Sequence, residues 1–538
     1  MRHDALLTRV VVPVRRAPLA VLLFPLVALA GCAGDEREGT VERGGTAVVC
    51  TQAEPVGLNP FTSMHVLTGD LTAVLFTPLV RYDEQGALQP WLATSWEWSP
   101  DQLGVTLELR QDVRWHDGEP LTAEDVVWTI ETASTPEFGY ALIEDFEDFE
   151  SVRAVGPHTV EIRLSEASPI GLEGFVALPI LPRHLLAEIP AGDFRNAPYH
   201  REPVGSGPFR FVNRNSTGDL LFERFEDFPE DLGRPAVDRL VLRTVPELST
   251  QLVELQTGSI HACVMGASAA DQVAATGSLE TVPLGLPSVA IIPLRNDRAP
   301  FDDVRVRRAV SAAIDRNEIA AVTSSAARPA SSFLPADSPF REDSLGQVSA
   351  DRELAAALLD SAGWSLNGSR DGVRTNADGE PLTFTIYGPQ SYATYLTNVQ
   401  AQLSSVGMDV RVSLLEGSTY FDMIDDPQTR PAAMAIGVSP TKVNYFDPYP
   451  DLHSEGYANL SLYENSGVDS LIQALGAATE EATRRRVYQQ LQRSVAQDVP
   501  SIYTIYIPRL LVHGPALEGV RGGPGGAFSS LIDWRLSR

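Results

Sequence analysis

Between residues 105 and 130 the hydrophobic period of the chain changes, and the change marks a strand, a turn and a helix. Leu107 and Leu109 alternate with polar neighbours, and Val113 and Trp115 continue the period of a half-buried strand. Asp117-Gly118 ends it, a turn pair because glycine accepts positive φ and the Asp side chain can bond its own backbone. Thr122 and Asp125 then have the spacing of a capping box, opening a helix whose apolar face is Val126, Val127 and Ile130. Residues 46–50 (TAVVC) form a short continuous apolar run, as strands of parallel sheets do. Residues 237–245, 249–257 and 260–264 read as strand, helix and strand, with Gly258 capping the helix. Such a βαβ unit makes its two strands parallel. Further helices are predicted over 399–407 and over 479–497. Strands alternating with helices predict an α/β protein, and 538 residues are too many for one ordinary core, so at least two lobes are expected.

The first 31 residues stand apart. Arg2, Arg9, Arg15 and Arg16 precede an apolar stretch over residues 17–29 that is too short to span a bilayer stably, the pattern of a secretory signal. It closes on Leu29-Ala30-Gly31-Cys32, which resembles a bacterial lipobox: small residues suit a signal peptidase, and the Cys32 thiol would carry diacylglycerol. A plain secretory signal with an incidental cysteine is the alternative. Residues 32–45, polar and glycine-containing, read as a tether between lipid and body.

Charge narrows the function classes. The chain has 42 basic and 70 acidic residues, net −28; without residues 1–31, which hold four Arg and Asp4, it has 38 against 69, net −31. That argues against nucleic-acid binding, which needs a basic footprint. Lys442 is the only lysine. The acidic run over residues 145–150 (DFEDFE) reads as a solvated loop. Cys50 and Cys263 fall on predicted buried strands, either paired in an oxidising compartment or as two free thiols. The nine histidines lack metal-ligand spacing and no nucleophile, zinc or phosphate-loop motif occurs, so no enzyme activity, metal or cofactor is expected.

The longest motif words are Pro90-x-Leu92-Ala93-x-Ser95-Trp96-Glu97, His116-Asp117-Gly118-x-Pro120-Leu121-Thr122-Ala123-Glu124-Asp125-Val126, Pro203-Val204-Gly205-Ser206-Gly207-Pro208-Phe209 and Arg305-Val306-Arg307-Arg308-Ala309-Val310. This set resembles the family 5 extracellular solute-binding proteins, the oligopeptide- and dipeptide-binding receptors of ABC importers. The resemblance implies an α/β, two-lobed, type II periplasmic-binding-protein-like fold with a hinge and an accessory subdomain in the first lobe. Lobe I would comprise residues 46–81, 200–288 and 508–538, with 82–199 as its accessory subdomain, and lobe II residues 289–507. Crossings near 285–295 and 500–512 would form the hinge. The expected protein is a monomer, lipid-anchored outside the cell membrane, that gives a small solute, most simply a peptide, to ABC permease subunits.

Binding is expected on loops facing the cleft. One is the loop that follows the first strand and carries Glu54, since open α/β sheets bind ligands at the carboxyl ends of their strands. The other is the segment 436–448 with Ser439, Lys442, Asn444, Tyr445 and Asp447. In peptide-binding relatives an Asp in a Gly-Trp-x-x-Asp-Tyr-like segment pairs with the ligand α-amine. Here Asn444 takes that place, the Trp is missing, and Pro440 removes a backbone donor. An amide offers no countercharge to an ammonium, which favours a modified peptide, a sugar or an anionic ligand. A shifted alignment would instead give the role to Asp447. Lys442 reads either as an ordinary exposed lysine or, pointing inward, as a further obstacle to a free amine. A receptor for an oligosaccharide or metal chelate, and a surface sensor of the same fold, are the alternatives.

Overall fold

The computed structural model describes residues 44–538 except 56, 64, 141, 147, 169, 336–337, 343–344, 346–348, 367–371, 426–428, 441, 444 and 538. One large sheet organises the chain. Eight of its nine strands are β1 (Thr46–Thr51), β2 (Phe209–Arg214), β3 (Leu220–Arg224), β4 (Arg239–Thr244), β5 (Ala262–Gly266), β6 (Glu280–Pro293), β7 (Ile436–Val438) and β8 (Ser501–His513), in the spatial order β7-β6-β8-β5-β1-β4-β3-β2, and the ninth, Arg328–Pro329, pairs with β8. β1 lies between β4 and β5 and is parallel to both, which explains its unbroken apolar sequence. The helix Leu248–Thr257 joins β4 to β5 and ends, as expected, on Gly258 at φ +74°. Cys50 and Cys263 face each other across β1 and β5 and are joined by a disulfide, with Cα atoms 4.3 Å apart.

Two strands serve two cores. β6 and β8 run antiparallel from Glu280 opposite His513 to Pro293 opposite Ser501. Leu284 and Leu511 belong to the core that also contains Ala47, Val49, Phe76 and Trp115. Ala290, Ile292, Ile502 and Ile505 belong to a second core with Val306, Ile386, Leu396 and Val410. The molecule is therefore two-lobed, and the lobes are joined through continuous β-structure. The pairing is irregular between Leu284 and Ser288, where Gly285 takes φ +62°. That left-handed conformation favours glycine and lets β6 bend at the boundary between the cores.

The strand–turn–helix block folds as its pattern predicts. Strands Gly104–Leu109, Ala93–Trp98, Phe149–Gly156 and Thr159–Leu164 form an antiparallel sheet, with Leu107 and Leu109 on its buried face. The Asp125 carboxylate accepts the Thr122 N–H at 2.9 Å and closes the capping box at the head of the helix Ala123–Ala133. The block is then clamped to the PVGSGPF loop through His116. Its Nδ1 accepts the Gly205 N–H at 3.1 Å, and its Nε2 lies 3.1 Å from the Gly207 carbonyl. These partners assign the proton to Nε2, and burial lowers the pKa to about 4, so the ring is neutral. The two motif words thus form one structural joint.

Candidate functional site

Beside the β6 bulge lies a cavity of about 400 Å³, a size that suits a small organic ligand. Its walls come from both sides of the strand crossing. Asp70, Arg81 and Tyr140 line it from the first side, and Ser439, Pro440 and Val443 from the second. Ser288 and Ser439 share a hydroxyl–hydroxyl hydrogen bond of 2.6 Å. The Val443 N–H points to the Tyr82 hydroxyl at 3.4 Å, so the segment after β7 also reaches the first lobe.

The charged groups of the lining are few. Asp70 is buried and accepts from Arg509 and from the Ala527 N–H at 3.1 Å. Arg81 sits over the Trp91 ring with its guanidinium carbon 3.7 Å from the centroid, and burial lowers its pKa. Tyr140 is 5% exposed, and among the described residues its hydroxyl has no hydrogen-bond partner.

The residues expected from sequence are dispersed. Ser439 lines the cavity. Glu54 is exposed and pairs with Arg214 at 2.6 Å, and it is not among the described cavity-lining residues. Tyr445 is buried with Phe333, Leu452 and Tyr488 in a separate cluster, where burial raises its pKa. Asp447 caps its own chain by accepting the Tyr449 N–H at 2.9 Å, and burial raises its pKa. Asn444 and Cys32 lie outside the described residues.

Two expectations are corrected. Lys442 is not a surface lysine: its side chain is 8% exposed and its ammonium lies 2.6 Å from Asp145, whose side chain is 4% exposed. Nor is the acidic run 145–150 simply a solvated loop. Phe146 is 1% exposed and packs edge-on against Tyr140 and Phe175, which draws Asp145 inward with it. Burial raises the Asp145 pKa, and Lys442 opposes that shift. Around this pair Glu144 and Asp447 are also raised by burial, and Asp451 is pushed up to about 7 by burial and then by Asp447.

Arg81, Tyr140 and the Asp70–Arg509 pair were not nominated from sequence. Arg81 follows a buried strand position and precedes Tyr82, but nothing local shows that Trp91 will lie beneath it. The half-buried ion pair Asp70–Arg509 joins residues 439 positions apart. Among the described residues no cluster of three or more His, Cys, Asp or Glu could hold a metal ion, and no helix is long and apolar enough to cross a membrane.

Comparison with known proteins gives this geometry a context. Residues 87–455 match the sequence model of the bacterial extracellular solute-binding proteins, family 5. The chain is 24% identical over 542 residues to oligopeptide-binding protein AppA of Bacillus subtilis, covering 97% of this chain and 98% of that one. The structure of AppA in complex with a nonapeptide superposes with a TM-score of 0.79 over 93% of this chain and all of AppA, at 24% identity. NikZ of Campylobacter jejuni in complex with Ni(L-His) gives a TM-score of 0.78 at 24% identity, covering 91% of this chain and 99% of NikZ. Heme-binding protein A of Haemophilus influenzae is 24% identical over 515 residues, 89% of this chain and 90% of its own. These structures share the type II periplasmic-binding-protein fold. The chain belongs to the family 5 bacterial extracellular solute-binding proteins, the solute-binding components of ABC transporters.

Proposed function

We propose that this protein is the lipid-anchored receptor of an ABC importer. It takes a peptide or similar small solute into the cavity between its lobes and presents it to the permease subunits. The observation that carries this reading is the cavity beside the β6 and β8 crossing, with walls from both sides. Closure about those strands would expel water from the ligand and strengthen its polar contacts. In this reading residues 46–81, 200–288 and 508–538 act as lobe I, 82–199 as its accessory subdomain, and 289–507 as lobe II. Membership of the two cores supports that division. The acyl anchor at Cys32 rests on the lipobox.

A non-peptide solute is the second reading, favoured by Asn444 where peptide-binding relatives carry an acid and by Pro440 beside it. Mass spectrometry of whatever co-purifies, followed by a thermal-shift panel, separates the two. A ligand at about 100 times its Kd stabilises the bound form by about 2.7 kcal/mol and raises the melting temperature by several degrees. Dipeptides that give no shift beside oligosaccharides or chelates that do would sink the peptide reading.

The anchor has its own test. Replacing Cys32 with Ala is expected to move the protein from the membrane fraction to the soluble extracytoplasmic fraction and to abolish acylation of the N-terminal peptide. A variant that stays membrane-bound with an unmodified N-terminus would point to a retained signal segment instead.

A further inference from the structure

The cavity carries the opposite charge balance to the protein around it. Its described lining holds two arginines, and Asp70 is the only acidic residue among the described lining residues of a chain with net charge −28. Asp70 is already taken by Arg509 and the Ala527 amide. Arg81 is not taken: among the described residues no carboxylate or carbonyl accepts a hydrogen bond from it, and its partner is the face of Trp91. The carboxylate that acts on it most strongly through space, Asp533, is bound to Arg521. Stacking holds the guanidinium in place while leaving its N–H fork for another acceptor. Tyr140 adds an independent sign of a missing ligand atom, a nine-tenths-buried hydroxyl in the same wall without a partner among the described residues. Native interiors rarely leave such a group unsatisfied.

We propose that this cavity binds a small organic anion, its acid group on the Arg81 guanidinium and an acceptor atom on the Tyr140 hydroxyl, with its apolar body against Leu142, Val176 and Phe528. The inference rests on the receptor reading and deepens it by naming the ligand's charge. A free ammonium would find no unpaired carboxylate among the described lining residues. The acid group can come from a peptide C-terminus or from a non-peptide organic acid.

Isothermal titration with matched probes distinguishes these sources. One arm uses N-acetyl-Leu-Phe, its C-terminal amide and the free-amine Leu-Phe amide; the other uses phenylpropionate and phenylpropionamide. Acids are expected to bind at least about 10-fold more tightly than their amides, the range of a hydrogen bond to a charged group. Arg81→Met should remove that preference and Arg81→Lys should retain part of it. Tyr140→Phe should weaken acid binding several-fold while leaving the ligand-free melting temperature unchanged or higher, because it deletes only an unsatisfied hydroxyl. Preference in the first arm alone identifies a peptide carboxylate, and in the second alone a non-peptide acid. Amides that bind as well as acids, or a preference that survives Arg81→Met, would overturn the assignment. So would a panel in which no acid binds; the receptor reading is then judged separately, by whether a neutral or cationic solute raises the melting temperature.

Discussion

Replacing Lys442 with Met is expected to cost about 3–5 kcal/mol, the effect of removing one member of a buried ion pair. The ammonium contacts one oxygen of Asp145, and the other, Oδ2, is buried with no hydrogen-bond partner among the described residues. Without Lys442 the carboxylate would remain desolvated and close to Glu144 and Asp447, with nothing to offset its charge. The sign of the pH dependence follows. Burial raises the folded-state pKa of Asp145 above its unfolded value, so the folded state holds the proton more tightly. The penalty of the variant is absent well below the unfolded pKa of roughly 3.9, where the acid is protonated in both states, and grows as pH rises from there towards the raised folded value. Because the pair joins the segment after β7 to the 140s region, the loss can appear as opening of the lobes as well as unfolding. Urea denaturation at pH 5 and pH 7, with small-angle scattering for the radius of gyration, reads both. The double variant Lys442→Met with Asp145→Leu should recover most of the loss, since it removes both charges. A single-variant cost below about 1 kcal/mol, or a double variant no better than the single one, would show that the pair is solvated.

Gly205→Ala is expected to cost about 4 kcal/mol or more, in the range reserved for a substitution with a specific steric cause. A Cβ at Gly205 would run into the Leu75 carbonyl, the same oxygen that accepts the Ser206 and Gly207 N–H groups, each at 2.9 Å. It would also come against the His116 ring. No flexible side-chain end can yield there, because the obstruction is backbone held by those two bonds. The variant should separate the His116 joint from the strand that follows Leu75. Gly476→Ala provides the control: it lies at the end of the helix Ser466–Gly476, with nothing within 4 Å of its Cβ position. It should be neutral or stabilising by up to about 1 kcal/mol. Melting temperatures of the pair by circular dichroism test the contrast. Similar values for both would mean that the loop can move away from Leu75 at little cost.

Local features of the fold were legible because their causes are local. The alternation through Leu107, the Thr122–Asp125 spacing and the glycine after Thr257 each determine backbone conformation within a few residues, and each element formed where its pattern placed it. Motif resemblance extended that reading to the arrangement of the whole chain. The site was less legible because its determinants are distant meetings. No property of residues 442 or 145 alone shows that they touch, and four acids in six residues read as solvated until the Phe146 contact with Tyr140 and Phe175 is known. The two phenylalanines inside that run, spaced three apart, were the available signal. For Arg81 the useful fact is the absence of an acidic partner among the described residues, which only the fold can supply.

The placement of β8 has a consequence for how the protein comes into being. This strand lies between β5 and β6, near the end of the chain, yet it supplies Leu511 to one core and Ile502 and Ile505 to the other. A polypeptide emerging from its amino end therefore lacks a wall of both lobes until residue 501 and beyond have appeared. Neither core is complete before those residues are present.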